Sequence, residues 1–136
     1  MSRRDITSNM ENEGIKNFFD LKTWKDAHEI TIEIYIITRD FPKDELFQLV
    51  SQMRRAAASV GANIAEGFGR FHFKDKMKFY QQARGSLVEL ENHVILATDL
   101  KYMNENQKEK LIKKSDIAIQ EINGLIKSIN NQITKS

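Results

Sequence analysis

The sequence predicts an all-α protein, an up-down-up-down antiparallel four-helix bundle. Apolar residues recur at three- and four-residue steps along four long stretches, which is the period of an amphipathic helix. The 136 residues include one proline and six glycines, so few positions are built to stop a helix. The segments between the stretches are short, which places successive helices side by side and antiparallel.

Residues 1–17 are polar and show no sustained period, and are read as a flexible N-terminal leader, with the bundle domain spanning 18–136. The first helix is expected over 22–39, where Trp24, Ala27, Thr31 and Ile34 share a face widened by Ile30, Ile37 and Phe41. Ile30, Ile32, Ile34 and Ile36 alternate as in a strand. Length decides for helix, since the pattern runs back to Trp24 without a breaker. Phe41-Pro42 ends it, because a proline pushes its predecessor out of the α region.

The second helix is expected over 44–66, with Asp44 as N-cap and a core face of Leu46, Leu49, Val50, Met53, Ala57, Val60 and Ile64. Small residues Ala58, Gly61, Ala62 and Ala65 run beside that face. Gly67 and Gly69 are expected to close the helix in a left-handed conformation. The third helix is expected over 74–102, on a seam of Phe73, Met77, Tyr80, Ala83, Leu87, Leu90, Val94 and Ala97. Gly85 costs it about 1 kcal/mol relative to alanine, so a close-packing role is expected there. The fourth follows the cap Asn104 and runs to 133, with Leu111, Ala118, Ile122, Leu125 and Ile129 on one stripe. Ile112, Ile119, Ile126 and Ile133 form a second at seven-residue intervals. Two apolar stripes per helix exceed what one bundle interior requires, and the surplus points to self-association.

Chemistry narrows the function classes. Without cysteine there is neither a disulfide framework nor a thiolate metal site, a usage that fits the cytoplasm. No apolar run approaches the roughly 18 residues of a membrane span, and no signal peptide is legible. Di-iron bundles need Glu-x-x-His pairs, but Lys25, Gly69 and Leu90 stand three residues before His28, His72 and His93. Helical-bundle ribonucleases of the HEPN type carry an arginine separated from a histidine by four to six residues. Here those positions are 21–23, 65–67 and 86–88, and none is an arginine. The reading is therefore a non-enzyme with no metal and no cofactor.

Two sets of polar residues stand out. Arg54, Arg55, Asn63, Glu66, Arg84 and Glu89 lie on the facing sides of helices two and three. In a hairpin centred near 70–73, Arg54 and Arg55 fall opposite Ser86 and Glu89, and Glu66 opposite Met77 and Lys78. They form either interhelical pairs that fix the register or a contact set for RNA or another subunit. Asn63 is read as a satisfied amide, and Trp24 and Tyr80 as core or interface aromatics. The second set is basic. Residues 53–84 contain seven positive and two negative side chains, a net +5 against −3 for the rest of the chain. Arg70, His72, Lys74, Lys76 and Lys78 gather at one end of the bundle with Phe71 and Phe73 among them, which suits phosphate contact to RNA or DNA. An ordinary solvated helix end is the alternative.

Several linked motifs resemble a known family. Ser59-Val-Gly-Ala-Asn63-Ile-Ala-Glu66-Gly67-Phe-Gly-Arg70 is followed by Ala83-Arg84-Gly85-Ser86-Leu87-Val-Glu89-Leu90. With Trp24-Lys25-Asp26-Ala27, the Phe41-Pro42 turn with Glu45, and Gln52-Met53-Arg54-Arg55-Ala56, these resemble bacterial four-helix-bundle proteins encoded in 23S ribosomal RNA intervening sequences. The turn at 71–73 departs from the family's serine near the start of the third helix. The resemblance implies a homo-oligomer, a pentamer, without enzymatic activity. A more distant likeness is to accessory proteins of the reverse transcriptases of diversity-generating retroelements, which bind the enzyme and nucleic acid. The expected function is a non-enzymatic oligomeric scaffold associated with RNA through its basic region; the alternative is a protein–protein adaptor for a reverse transcriptase or another enzyme.

Overall fold

A computed structural model describes residues 14–135, and the first 13 residues of the expected leader lie outside it. Four helices carry the fold: α1 (Lys22–Thr38), α2 (Ser51–Gly69), α3 (Phe73–Asp99) and α4 (Glu105–Lys135). Among the described residues there is no strand. Ile15, inside the segment read as a leader, packs against the core, and a 3₁₀ turn at Phe18–Asp20 leads into α1.

Contacts between neighbouring helices run in opposite chain order, so each helix is antiparallel to the next. Trp24 meets Gly61, Thr31 bonds the carbonyl of Ala57, and Arg54 reaches Thr38. Between α2 and α3, Gly67 lies under Tyr80, Ser59 bonds Ser86 at 2.6 Å, and Arg55 meets Glu89. Arg84 bonds Asn123 across α3 and α4. Lys22 with Glu121, and Lys114 with Glu29 and Glu33, close the ring of helices between α4 and α1. The interior holds Leu21, Ile30, Ile34, Met53, Ile64, Leu87, Leu90, Ile122 and Leu125, all fully buried. Each contributes about 1.5–3 kcal/mol by leaving water. Thr38 and Thr98 are buried too, their hydroxyls donating to the carbonyls of Ile34 and Val94.

The expected elements need several corrections. Asp44 is not the cap of the second helical segment. A 3₁₀ turn, Lys43–Glu45, is followed by a π turn, Leu46–Val50, and only then by α2. The Glu45 carboxylate accepts from the amide of Leu49 instead. The extra residue in the π turn rotates what precedes it by about 100° relative to the face of α2. Leu46, placed in the core by periodicity, is therefore 46% exposed.

Gly67 and Gly69 do not form a left-handed cap, because no described glycine has positive φ. A Cβ on Gly67 would sit 2.7 Å from Cε1 of Tyr80, so this glycine lets two helices approach. At Gly85, where close packing was expected, a Cβ would meet nothing within 4 Å. The third helix stops at Asp99, three residues early. Lys101 turns left-handed (φ 70°), with Tyr102 N–H donating to the carbonyl of Ala97 and Lys101 N–H to that of Thr98, the two bonds of a Schellman ending.

The cap of α4 follows its sequence. Asn104 Oδ1 accepts from Gln107 N–H at 2.8 Å, and Gln107 Oε1 from Asn104 N–H at 3.0 Å, a reciprocal capping box. The second stripe of α4, Ile112, Ile119, Ile126 and Ile133, packs against the core and is not surplus. The apolar excess lies elsewhere: Ile32, Tyr35 and Ile36 on α1, and Val88, Ile95 and Leu96 on α3, are exposed.

Candidate nucleic-acid interface

The turn from α2 to α3 takes three residues. Arg70 leaves the helix in an extended conformation (φ −77°, ψ 146°), and His72, also extended, precedes α3 without a side-chain cap. An extended pair between two antiparallel helices pushes the side chain between them outward. Phe71 stands 88% exposed, with the His72 ring against it, edge to face at 5.2 Å.

The five basic residues of this region do not act alike. Lys74 and Lys78 are exposed, one helical turn apart on α3, and no carboxylate pairs with either among the described residues. Arg70 is partly committed: it donates to Glu66 at 2.8 Å and lies 4.8 Å over the Phe79 ring. Lys76 departs from the outward cluster altogether. Its ammonium turns inward and donates to the carbonyls of Phe68 (2.8 Å) and Gly67 (3.2 Å). It thus caps the C-terminus of α2, where the helix dipole favours a cation, sharing the Gly67 carbonyl with Arg70 N–H. Burial lowers its pKa.

The second polar set is dispersed over several contacts. Arg55 and Glu89 bridge α2 and α3 at 2.5 Å, and Glu89 also meets His93 at 3.2 Å. Burial opposes ionisation of Glu89, but hydrogen bonds from His93 and Arg55 outweigh it and hold the carboxyl below its usual range. The pair is largely exposed, so it is worth less than about 1 kcal/mol rather than the large cost of a buried charge. Arg54 does not face Ser86 or Glu89. It turns to α1, donating to Thr38 Oγ1 at 2.9 Å and the Tyr35 carbonyl at 3.3 Å. Glu66 pairs with Arg70 in its own helical run, not with Lys78. Arg84 donates to Asn123 of α4, and Asn63 to the carbonyl of Ser59.

Tyr80 is fully buried, and its hydroxyl pKa is pushed up to about 12 by that burial. Trp24 stacks on His28 at 4.6 Å and covers Gly61. The most exposed ring of this region is Phe71, with Phe73, at 38%, the next. Sequence reasoning missed the ion pairs that tie α1 to α4. Lys114 between Glu29 and Glu33 was legible by the same opposite-order pairing used for the α2–α3 hairpin, and those two carboxylates raise the Lys114 pKa.

Among the described residues, no group of histidine, aspartate and glutamate could hold a metal ion, and no helix is long and apolar enough to cross a membrane. The molecule is a four-helix bundle whose polar side chains serve helix ends and helix–helix register. The family model for 23S rRNA-intervening sequence proteins matches residues 19–124, and the chain belongs to that family. A crystal structure at 1.70 Å of a protein with unknown function from the S23 ribosomal protein family of Bacteroides thetaiotaomicron VPI-5482 has the same fold. It is 21% identical, with a TM-score of 0.71 over 77% of this chain and 95% of that one. No curated protein matches the chain.

Proposed function

We propose that this protein is a non-catalytic, homo-oligomeric binding protein that holds RNA by its phosphates at the α2–α3 end. The observation that carries the reading is the placement of Lys74 and Lys78. Both are exposed and, among the described residues, free of carboxylate partners, and they stand behind a projecting turn in the stretch that concentrates the positive charge. Phosphate contacts release condensed counterions, so affinity should fall steeply as salt rises. Replacing both lysines with glutamate should abolish binding while the helical circular dichroism and melting temperature stay unchanged. Equal affinity of wild type and double variant across a salt series, or no binding at low salt, rejects the reading.

Self-association is supported by the exposed apolar side chains of α1 and α3, Ile32, Tyr35, Ile36, Val88, Ile95 and Leu96. Five copies would repeat the basic turn and multiply a weak contact through avidity. Light scattering at micromolar concentration should give a mass several times 15.8 kDa. A monomer peak defeats this part of the proposal.

A further inference from the structure

We infer that the α2–α3 turn selects single-stranded RNA, with Phe71 as a stacking platform for one unpaired base. The inference rests on the phosphate-binding reading above and names the form of nucleic acid that the same site takes. Phe71 keeps 88% of its surface in water at the tip of a three-residue turn. Lys74 and Lys78 follow on α3, their backbone positions separated by about 6 Å along the axis, so that they serve neighbouring phosphates of one strand. An aromatic face beside a basic track is the arrangement that binds unpaired nucleotides, because every base has a π face to offer.

A duplex offers this site much less. Its base faces are covered by their neighbours, and a phenyl ring has no donor or acceptor for a base edge. Apart from the exposed His72 imidazole, the turn's polar groups are already engaged. The Arg70 guanidinium is engaged by Glu66 and Phe79, and the Lys76 ammonium by two carbonyls. Selection should therefore be for strandedness, with little preference among bases.

The test compares a short labelled oligoadenylate, an oligouridylate and an RNA duplex of the same length, by fluorescence anisotropy at low salt. The full chain is used as wild type, Phe71→Ala, Phe71→Leu and Phe71→Trp. Wild type should prefer either single strand over the duplex by about tenfold, the scale of one base–aromatic stack. Phe71→Ala and Phe71→Leu should both remove that preference while leaving duplex affinity unchanged. Phe71→Trp should retain it, because tryptophan restores a stacking face. Leucine keeps the apolar bulk, so retention of the preference in Phe71→Leu overturns stacking. Salt-dependent binding with no preference for single strands, unaltered in Phe71→Ala, also overturns it while leaving the phosphate reading intact. No binding of any RNA removes both. A drop in oligomer mass on Phe71→Ala, with strand affinity falling in parallel, assigns the ring to a second copy of the chain and overturns the inference.

Discussion

At the end of the bundle where α1 passes to α2 and α3 to α4, the connections are held by their own side chains. Glu45 accepts from Leu49 N–H with one oxygen and from the Tyr102 hydroxyl, at 2.8 Å, with the other. Phe41 is buried against the Tyr102 ring at 5.3 Å, a Schellman turn closes α3, and a capping box opens α4. At the opposite end, the α2–α3 turn has one inward lysine as its cap, and its aromatic ring and two lysines stay in solvent. The difference separates structural polarity from available polarity. At the first end the carboxylate, hydroxyl and amide groups are taken up by the fold, although the Phe47 ring is exposed there too; at the second, a ring and two lysines stand free side by side.

The comparison is broken most sharply by the same substitution at both ends. Phe41→Ala should cost about 3–5 kcal/mol, the usual range for removing a buried phenylalanine. Phe71→Ala should leave stability within about 0.5 kcal/mol. Urea midpoints for the two variants decide it, and similar losses would mean that the turn is packed after all.

Glycines give the next test. Gly67→Ala forces a methyl toward the buried Tyr80 ring, and overpacking of about 1–3 kcal/mol should outweigh the helix propensity gained. Gly85→Ala, on the open face of α3, should instead stabilise by up to about 1 kcal/mol. At the tied end, Glu45→Ala should cost about 1 kcal/mol through the lost cap. At the open end, Lys76→Met should cost about 0.5 kcal/mol and leave RNA affinity unchanged. Anisotropy titrations of Lys76→Met beside the Lys74 and Lys78 double variant separate the capping lysine from the contacting ones.

The smallest effect is in pH. The folded Glu89 carboxyl titrates below its unfolded value of 4.5, so its contribution is complete above about pH 4.5 and fades as pH falls through the folded value. Urea midpoints of wild type and Glu89→Gln should converge as the solution is made more acid. A constant gap between them would remove Glu89 from the acid response.

What the sequence revealed depended on how locally each feature is determined. Helix positions followed from periodicity over many residues, and the Asn104–Gln107 cap from two residues three apart. The Arg55–Glu89 bridge followed because a short turn fixes which residues of a hairpin lie opposite. Leu46 was misplaced because a π turn leaves no residue-type signature, yet it rotates everything before it. Lys76 was grouped with its basic neighbours because its inward course depends on where the carbonyls of Gly67 and Phe68 end up, one and two residues beyond the expected end of the second helix. Gly67 looked like a stop signal for the same reason. Its partner, Tyr80, is known only once the hairpin has closed.

The π turn Leu46–Val50 has a consequence for how the chain can change length. A turn closed by i→i+5 bonds holds one residue more than an α turn. Deleting one residue there, at the exposed Phe47, converts the segment to regular helix without shifting Ser51 or anything after it. The same deletion inside α2 would turn every later side chain by about 100° and strip the core of its partners. The segment is thus the place where an insertion can be gained or shed by descent while the rest of the bundle stays in step.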